Sequence, residues 1–233
     1  MTATMSVAAR FNGPRESGNG GYTSGLLAAE VEGTAAVSLR SPVPLDTPLA
    51  LVHEDGRVRA FDGETLVAEA EPVAPLALEV PAPVSVEEAR QASATYRHPR
   101  ESPFATCFVC GPAREDSFGV FAGAVAGRDL VATPWTPPPW SAGEDGAVRP
   151  EFVWAALDCP TFFAAYGGEM RLAFMVRDCV ELRGPVRAGV EHVVIAWPLT
   201  SGERKRSAGA AVLDCGGALL AVGEVLLVEP RAA

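Results

Sequence analysis

The segment from residue 149 to residue 166, RPEFVWAALDCPTFFAAY, constrains the fold more than any other part of the sequence. Between Glu151 and Glu169 its only charged residue is Asp158. Surface helices carry a polar face, so a helix that is apolar on all sides must be buried among other elements. We therefore predict a central buried helix. A single carboxylate inside such a helix is costly unless it has hydrogen-bond partners or a function.

Two prolines mark the expected bounds of this helix. Pro150 favours a helix start, because the first turn does not need the amide that proline lacks. Pro160 predicts a kink or an end, because proline removes a hydrogen bond from the helix interior. With a break there, Asp158 would serve only as the N-cap of a second helical segment. This structural interpretation of Asp158 competes with a functional one.

The composition limits the partners that the protein can have. The 233 residues carry a formal net charge of −10, which disfavours nucleic acid as a partner. No apolar run reaches the roughly 20 residues that span a bilayer, and the first residues lack the long apolar core of a signal peptide. Since 48% of the residues are hydrophobic, a large core is available. We expect a soluble cytoplasmic protein that binds neither nucleic acid nor a membrane.

Five cysteines are present, and Cys107 and Cys110 form a single C-x-x-C motif. An odd number of cysteines in a chain expected to be cytoplasmic indicates reduced thiols. A zinc site would require two further ligands, and the sequence has no second C-x-x-C and only three widely separated histidines. The motif also lacks the thioredoxin-like context of a redox pair. We therefore expect no bound metal.

Regular elements follow one another in a strand-rich order. The stretch after Asn19 has apolar residues at roughly helical spacing, and Asn19 or Ser17 is expected to cap this helix. Turn residues at Asp55-Gly56 and Asp62-Gly63 predict two hairpins after it. Another helix, with Ser85 as its cap, follows in a proline-rich stretch. Alternating apolar residues predict strands after the buried helix. The order is typical of an α+β fold with antiparallel strands.

The two halves of the chain share an order of elements: strand, loop, apolar helix, strands. Short stretches also correspond, since PVPLDT in the first half matches PVRAGV in the second, and GETLVAEAE matches GGALLAVGE. The shared order indicates an internal duplication. We predict a first repeat at residues 1–95, a linker at 96–104 and a second repeat at 105–233.

One helix wrapped by a curved antiparallel sheet, present twice, resembles the hotdog fold. The chain is similar to tandem, or double, hotdog proteins of the acyl-CoA thioesterase-like superfamily, in which two halves of one chain imitate a hotdog dimer. The resemblance implies two curved antiparallel sheets, each wrapping a central helix. In this family the helix typically opens with His-Gly-Gly and carries an acidic residue nine positions after the histidine.

The two halves match that motif in complementary ways. In the first half, Asn19 stands at the histidine position and is followed by Gly20 and Gly21, but Ala28 replaces the acidic residue. In the second half, RPEFVWAALD has an arginine at the histidine position and Asp158 at the acidic one. The CFVCG segment also resembles one found before the first strands of related sequences. The resemblance therefore implies one competent site per chain and one degenerate site.

The resemblance implies a composite site for thioester chemistry. The amides of Gly21 and Tyr22, at a helix N-terminus, are expected to stabilise the oxyanion of an attacked carbonyl. Asp158 is expected to act as a general base on water or as the nucleophile itself. Asn19 or Asn12 would orient the water or the carbonyl. Alternatively, the glycines serve only a tight turn and Asn19 is only an N-cap.

The implied function is hydrolysis of an acyl-CoA or a similar thioester. Coenzyme A would enter as part of the substrate, so no separate cofactor is expected. The alternative is a non-catalytic protein that binds acyl-CoA or another acyl ligand, since hotdog domains also include members without activity. The resemblance is also compatible with a homo-oligomer.

Overall fold

The computed structural model describes residues 3–99, 101–169 and 171–231. These ranges contain three α-helices: α1 (Gly20–Ala28), α2 (Val86–Ser93) and α3 (Pro150–Ala165). They also contain eleven β-strands, which are β1 (Thr4–Met5), β2 (Ala35–Leu39), β3 (Leu49–Glu54), β4 (Arg57–Asp62), β5 (Thr65–Pro72), β6 (Gly123–Ala124), β7 (Val131–Trp135), β8 (Phe174–Leu182), β9 (His192–Ser201), β10 (Lys205–Asp214) and β11 (Leu219–Val228).

All eleven strands form one continuous antiparallel sheet, in the order β1-β3-β4-β5-β2-β8-β11-β10-β9-β7-β6. The two parts are joined where β2 pairs with β8, with Val37 opposite Asp178. The structure thus has one sheet in place of the two that the resemblance implied. The reason is that β2 and β8 would each be the edge strand of a separate sheet, with unpaired backbone amides and carbonyls. These groups pair when the two strands lie side by side.

The strand order is the same on both sides of this β2–β8 junction. Moving outwards, one side reads β2, β5, β4, β3, β1, and the other reads β8, β11, β10, β9, β7. On each side, the helix lies in the sequence between the outermost of these strands and the one at the junction. The two halves of the chain therefore share one topology.

Helices α1 and α3 pack against each other with their backbones in close contact. A Cβ atom at Gly21 would lie 2.6 Å from the carbonyl oxygen of Trp154, and one at Gly25 would collide with the Cα of Glu151. Backbone atoms cannot move aside as a flexible side chain can. Glycine is therefore required at both positions for this close approach.

Alternate residues of the longer strands face two different layers. On β9, Val194 and Ala196 belong to the core around α1 and α3, whereas Val193 and Ile195 belong to a second core. The second core is completed by residues of α2, which packs on β7. Such alternation follows from the two-residue period of a strand. The sheet in this part is therefore covered on both faces.

Local signals in the sequence locate the helix starts well. Asn19 caps α1, since its side-chain oxygen accepts from the backbone amide of Tyr22 at 2.9 Å. Ser85 caps α2 in a capping box with Glu88. The predicted hairpin turns connect β3 to β4 and β4 to β5. No helix within the described residues has the length and apolar character to cross a membrane.

Pro160 was predicted to kink or end α3. The prediction of a helix end is wrong, because α3 continues to Ala165. Proline removes only one backbone hydrogen bond. Most residues of α3 on both sides of Pro160 are buried, including Leu157 and Phe163. Packing of both segments in one core holds the helix together despite that loss.

A buried carboxyl group on β8 is expected to lower the stability of the folded protein. Asp178 is fully buried, and neither of its oxygens has a hydrogen-bond partner among the described residues. Burial, with a smaller effect from the nearby Asp158 charge, raises the pKa of Asp178 well above its ordinary value. The folded protein therefore keeps a proton that the unfolded chain releases above about pH 4. This difference makes the group increasingly destabilising as the pH rises from about 4 to 7.

We expect Asp178→Val to raise the free energy of unfolding by about 1–3 kcal/mol at pH 7, because valine suits a strand and has no polar atom to leave unpaired. The gain should be smaller at pH 4, where the unfolded wild-type chain also holds the proton. Urea unfolding of both proteins at the two pH values measures this difference. An equal gain at both would contradict the explanation from a buried carboxyl.

Candidate functional site

Asp158 of α3 reaches across to the N-terminus of α1. Its Oδ2 atom accepts hydrogen bonds from the backbone amide of Gly21 and from the side-chain Nδ2 of Asn19, each at 3.1 Å. The same Asn19 caps α1 with its other side-chain atom, so one residue both starts the helix and positions the carboxylate. Because α3 is continuous, Asp158 does not cap a second helical segment. The lone carboxylate predicted in the buried helix has partners in the other half of the chain.

The surroundings of Asp158 favour a carboxylate that can accept a proton near neutral pH. Burial raises its pKa to about 6, against the opposing effect of the Gly21 amide, and the nearby Cys107 adds to the increase. The hydrogen bond from Asn19 acts in the opposite direction, because it stabilises the charged form. A pKa in this range suits a general base.

A cavity of about 460 Å³ lies beside this carboxylate. Asn19, Gly20 and Asp158 are in its wall, and most of the remaining wall is apolar. The large apolar side chains that line it are Leu39, Phe104, Phe162, Phe163, Phe174, Met175 and Leu227. Ligand sites in proteins combine such an apolar wall with a few polar groups. The arrangement fits an apolar group with one polar, reactive end.

The backbone amides near this cavity differ in whether they are free. The amides of Gly21 and Tyr22, predicted as oxyanion donors, already donate to Asp158 and to the side chain of Asn19. The amide of Gly20, one residue earlier, has no hydrogen-bond acceptor among the described residues. Since Gly20 is the first residue of α1 and lines the cavity, its amide is available to a ligand.

Three residues predicted for the site, Asn12, Gly21 and Tyr22, do not belong to the cavity wall. The Asn12 amide donates to the carbonyl oxygen of Thr106 at 3.0 Å, and its oxygen accepts from Arg114 at 2.7 Å. Asn12 therefore fixes the segment that leads to Cys107. The ring of Tyr22 stacks on Phe11, with the ring centroids 4.4 Å apart, and is buried in the core.

Three thiols meet at the same cavity, which sequence reasoning missed. The sulfur atoms of Cys107, Cys110 and Cys159 all lie within 4.8 Å of one another, and all three residues line the wall. Hydrogen bonds from the other two thiols hold the pKa of Cys107 well below its ordinary value. The hydrogen bonds that Cys110 and Cys159 make to Cys107, together with burial, raise the pKa of these two thiols. Only the adjacency of Cys159 to Asp158 could have signalled this cluster.

No protein-family model and no curated protein matches this sequence. Solved structures do match over most of the chain. A candidate thioesterase from Novosphingobium aromaticivorans aligns with a TM-score of 0.63 at 14% identity, covering 98% of this chain and 95% of its own. A conserved hot dog fold protein of unknown function from Alicyclobacillus acidocaldarius gives a TM-score of 0.62 at 10% identity, covering 99% and 93%.

The tesB protein of Mycobacterium avium subspecies paratuberculosis aligns with a TM-score of 0.57 at 14% identity, covering 90% of this chain and 85% of its own. Identities this low speak to the fold and not to the activity. The agreement of these structures with the sheet and helices described above gives the conclusion that this chain has the hot dog fold.

Proposed function

We propose that this protein hydrolyses an acyl-CoA or a similar thioester at the cavity beside Asp158 of α3 and the N-terminus of α1. The observation that carries the proposal is the 3.1 Å hydrogen bond between Asp158 Oδ2 and the Gly21 amide, beside a free Gly20 amide in the wall of an apolar cavity. This places a carboxylate and a helix N-terminus at one point. Thioester hydrolysis needs a base for water and a donor for the oxyanion.

The reaction would divide between the two helices. The thioester carbonyl oxygen would accept from the Gly20 amide, where the positive end of the α1 dipole stabilises the developing negative charge. Asp158 would take a proton from the attacking water, and Asn19 would hold the carboxylate in position. Collapse of the tetrahedral intermediate would expel the thiolate, which takes up the proton held by Asp158 and leaves as the thiol, with the free acid as the second product.

We further propose that the chain is a double hotdog protein, with repeats at residues 1–95 and 105–233 joined by a linker at 96–104. The identical strand order on both sides of the β2–β8 junction supports this arrangement. Each repeat would then contribute one part of the site: the first the N-terminus of α1, the second Asp158.

A second site in this arrangement would combine the N-terminus of α3 with an acidic residue of α1. The chain lacks the glycine turn at the first place and the acid at the second. Arg149 stands at its N-cap without a side-chain capping bond and pairs with Glu151, Nε to Oε1, at 3.3 Å. Ala28, the last residue of α1, occupies the position of the acid. One active site per chain follows from these substitutions.

The composition of the cavity wall supports the proposed acyl substrate. Its aromatic and aliphatic side chains would hold the acyl group, while Arg40 and His98 provide the only basic side chains in the described wall. Coenzyme A would be the thiol carrier and would leave as product, so the proposed reaction needs no further cofactor. Association into a homo-oligomer stays an expectation that is independent of this site.

A second candidate function, binding of an acyl ligand without catalysis, is favoured by one observation. Two of the amides at the start of α1 are already bound within the chain, and the carboxylate itself occupies the Gly21 amide. In a binding protein this bond would be permanent. In an enzyme, water would bind to the other carboxylate oxygen, Oδ1, because both bonds to α1 are made by Oδ2.

Thiol release from a panel of acyl-CoAs, with short, long and aromatic acyl groups, separates these functions. We expect at least one acyl-CoA to be hydrolysed, since base and oxyanion donor lie together. Failure of the whole panel, combined with a rise in Tm on adding one of its members, would instead identify a binding protein. If no acyl-CoA of the panel were hydrolysed and none raised the Tm, both hydrolysis and binding of acyl-CoA would be contradicted.

A further inference from the structure

The three thiols at the cavity lie in the geometry of a metal site. A tetrahedral zinc ion with Zn–S bonds of about 2.3 Å separates its sulfur ligands by about 3.8 Å. The sulfur atoms of Cys107 and Cys159 are 3.8 Å apart, and the Cys110 sulfur lies within 4.8 Å of both. Three thiols at these distances need only small rotamer changes to share one ion.

The loop that carries two of these thiols is held rigidly in place. The turn closes through the Gly111 amide, which donates to the Cys107 carbonyl oxygen at 2.8 Å. A Cβ atom at Gly111 would lie only 2.6 Å from the Cys107 nitrogen, so this turn requires glycine.

The third thiol comes from a different part of the chain. Cys159 lies on α3, 52 residues from Cys107, and the fold alone brings the two together. Cys107 and Cys110 are almost fully buried, while all three residues reach the cavity wall. The site is thus shielded from bulk solvent, with the cavity as its entry path. The prediction of no metal considered a second C-x-x-C and the three histidines as sources of further ligands, and did not include Cys159.

We propose that Cys107, Cys110 and Cys159 bind one Zn²⁺ ion, with the fourth coordination position open to the cavity. Thiolates prefer soft or borderline ions such as zinc over Mg²⁺ or Ca²⁺. Each thiol that is still protonated would release its proton to solvent on binding. Three protein ligands leave one position for water or for a ligand from the cavity.

Cadmium titration of the reduced, metal-free protein tests this proposal without relying on activity. Cd²⁺ binds thiolates as zinc does and gives an ultraviolet charge-transfer band. We expect the band to saturate at one equivalent of Cd²⁺, and a large excess of Zn²⁺ to reduce it by competing for the same thiolates. Cys159→Ala should weaken binding at least about 100-fold, since loss of even an outer-shell partner costs 10–100-fold.

The chain offers a matched control in Cys179, a buried cysteine on β8 outside the cluster. Cys179→Ala should bind Cd²⁺ like the wild type. Equal affinity in the Cys159 and Cys179 variants would overturn the proposal. So would a Cys107–Cys159 disulfide in freshly purified, unreduced protein that gives no cadmium band, because it would identify a redox pair.

X-ray absorption of the zinc-loaded wild type keeps the test valid if the Cys159 variant does not fold. We expect three sulfur neighbours at about 2.3 Å and one nitrogen or oxygen neighbour. A shell of nitrogen and oxygen atoms alone would refute a thiolate site. Neither measurement depends on thioester hydrolysis, so this proposal and the proposed function can fail separately.

Discussion

Asp158→Asn is expected to lower kcat/KM for thioester hydrolysis by about 10²–10⁴-fold, the usual contribution of a general base. Asparagine has nearly the same volume, and its side-chain oxygen can still accept from the Gly21 amide. The fold should therefore survive, while the group that takes the proton from water is lost. Steady-state thiol release with the best acyl-CoA of the panel measures the effect, and circular dichroism checks the fold.

The control for this variant is Asp178→Asn, which changes another buried carboxyl in the same part of the core. Asp178 does not belong to the cavity wall and makes no bond to α1. It should keep the wild-type kcat/KM within a few-fold. If the Asp158 variant hydrolysed thioesters as fast as the wild type, Asp158 would not be the base.

Gly25→Ala is expected to lower the free energy of unfolding by about 2–3 kcal/mol, because the added methyl group meets the backbone of α3 at Glu151. Side chains can turn away from such a clash, but here the two helices would have to separate. For a chain of this size the corresponding fall in Tm is about 4–12 °C. Thermal unfolding followed by circular dichroism measures it.

The neighbouring residue supplies a matched control. Ser24 is fully buried on α1, and its hydroxyl has no hydrogen-bond partner among the described residues. Ser24→Ala removes an unpaired polar group and improves helix propensity, so stability should stay equal or rise by up to about 1 kcal/mol. If Ser24→Ala destabilised the protein as much as Gly25→Ala, the loss would reflect a general sensitivity of α1 to substitution. It would not reflect a clash of the added methyl group with α3.

Features that depend on neighbouring residues were predictable from the sequence. The apolar run around Asp158 predicted the buried helix, and the Asn19-Gly20-Gly21 stretch predicted the start of α1. Both predictions rest on contacts within a few residues, where pattern and capping rules apply directly. That Asp158 faces α1 was expected from the family resemblance, and the 3.1 Å bonds agree with that expectation.

Features that depend on how distant segments meet were not predictable. Nothing near Cys107 in the sequence indicates that Cys159 lies 3.8 Å away. The junction of β2 with β8 depends on sheet register between strands that are more than 130 residues apart. The continuation of α3 through Pro160 reflects packing in the core, which outweighs the local cost of a proline. Local sequence patterns carry no information about contacts, strand register or packing between distant segments.

The junction of β2 with β8 has a consequence for how the site persists and changes. Asp158 and the Asn19–Gly21 turn belong to one polypeptide, so the site assembles at a local concentration that dilution does not reduce. A site shared by two identical subunits would be lost at low protein concentration. In such a dimer, every substitution would also be present in both subunits. In the proposed double hotdog chain, each half could lose the part that the other half retains. The proposal thus accounts for a glycine turn in one half and a carboxylate in the other.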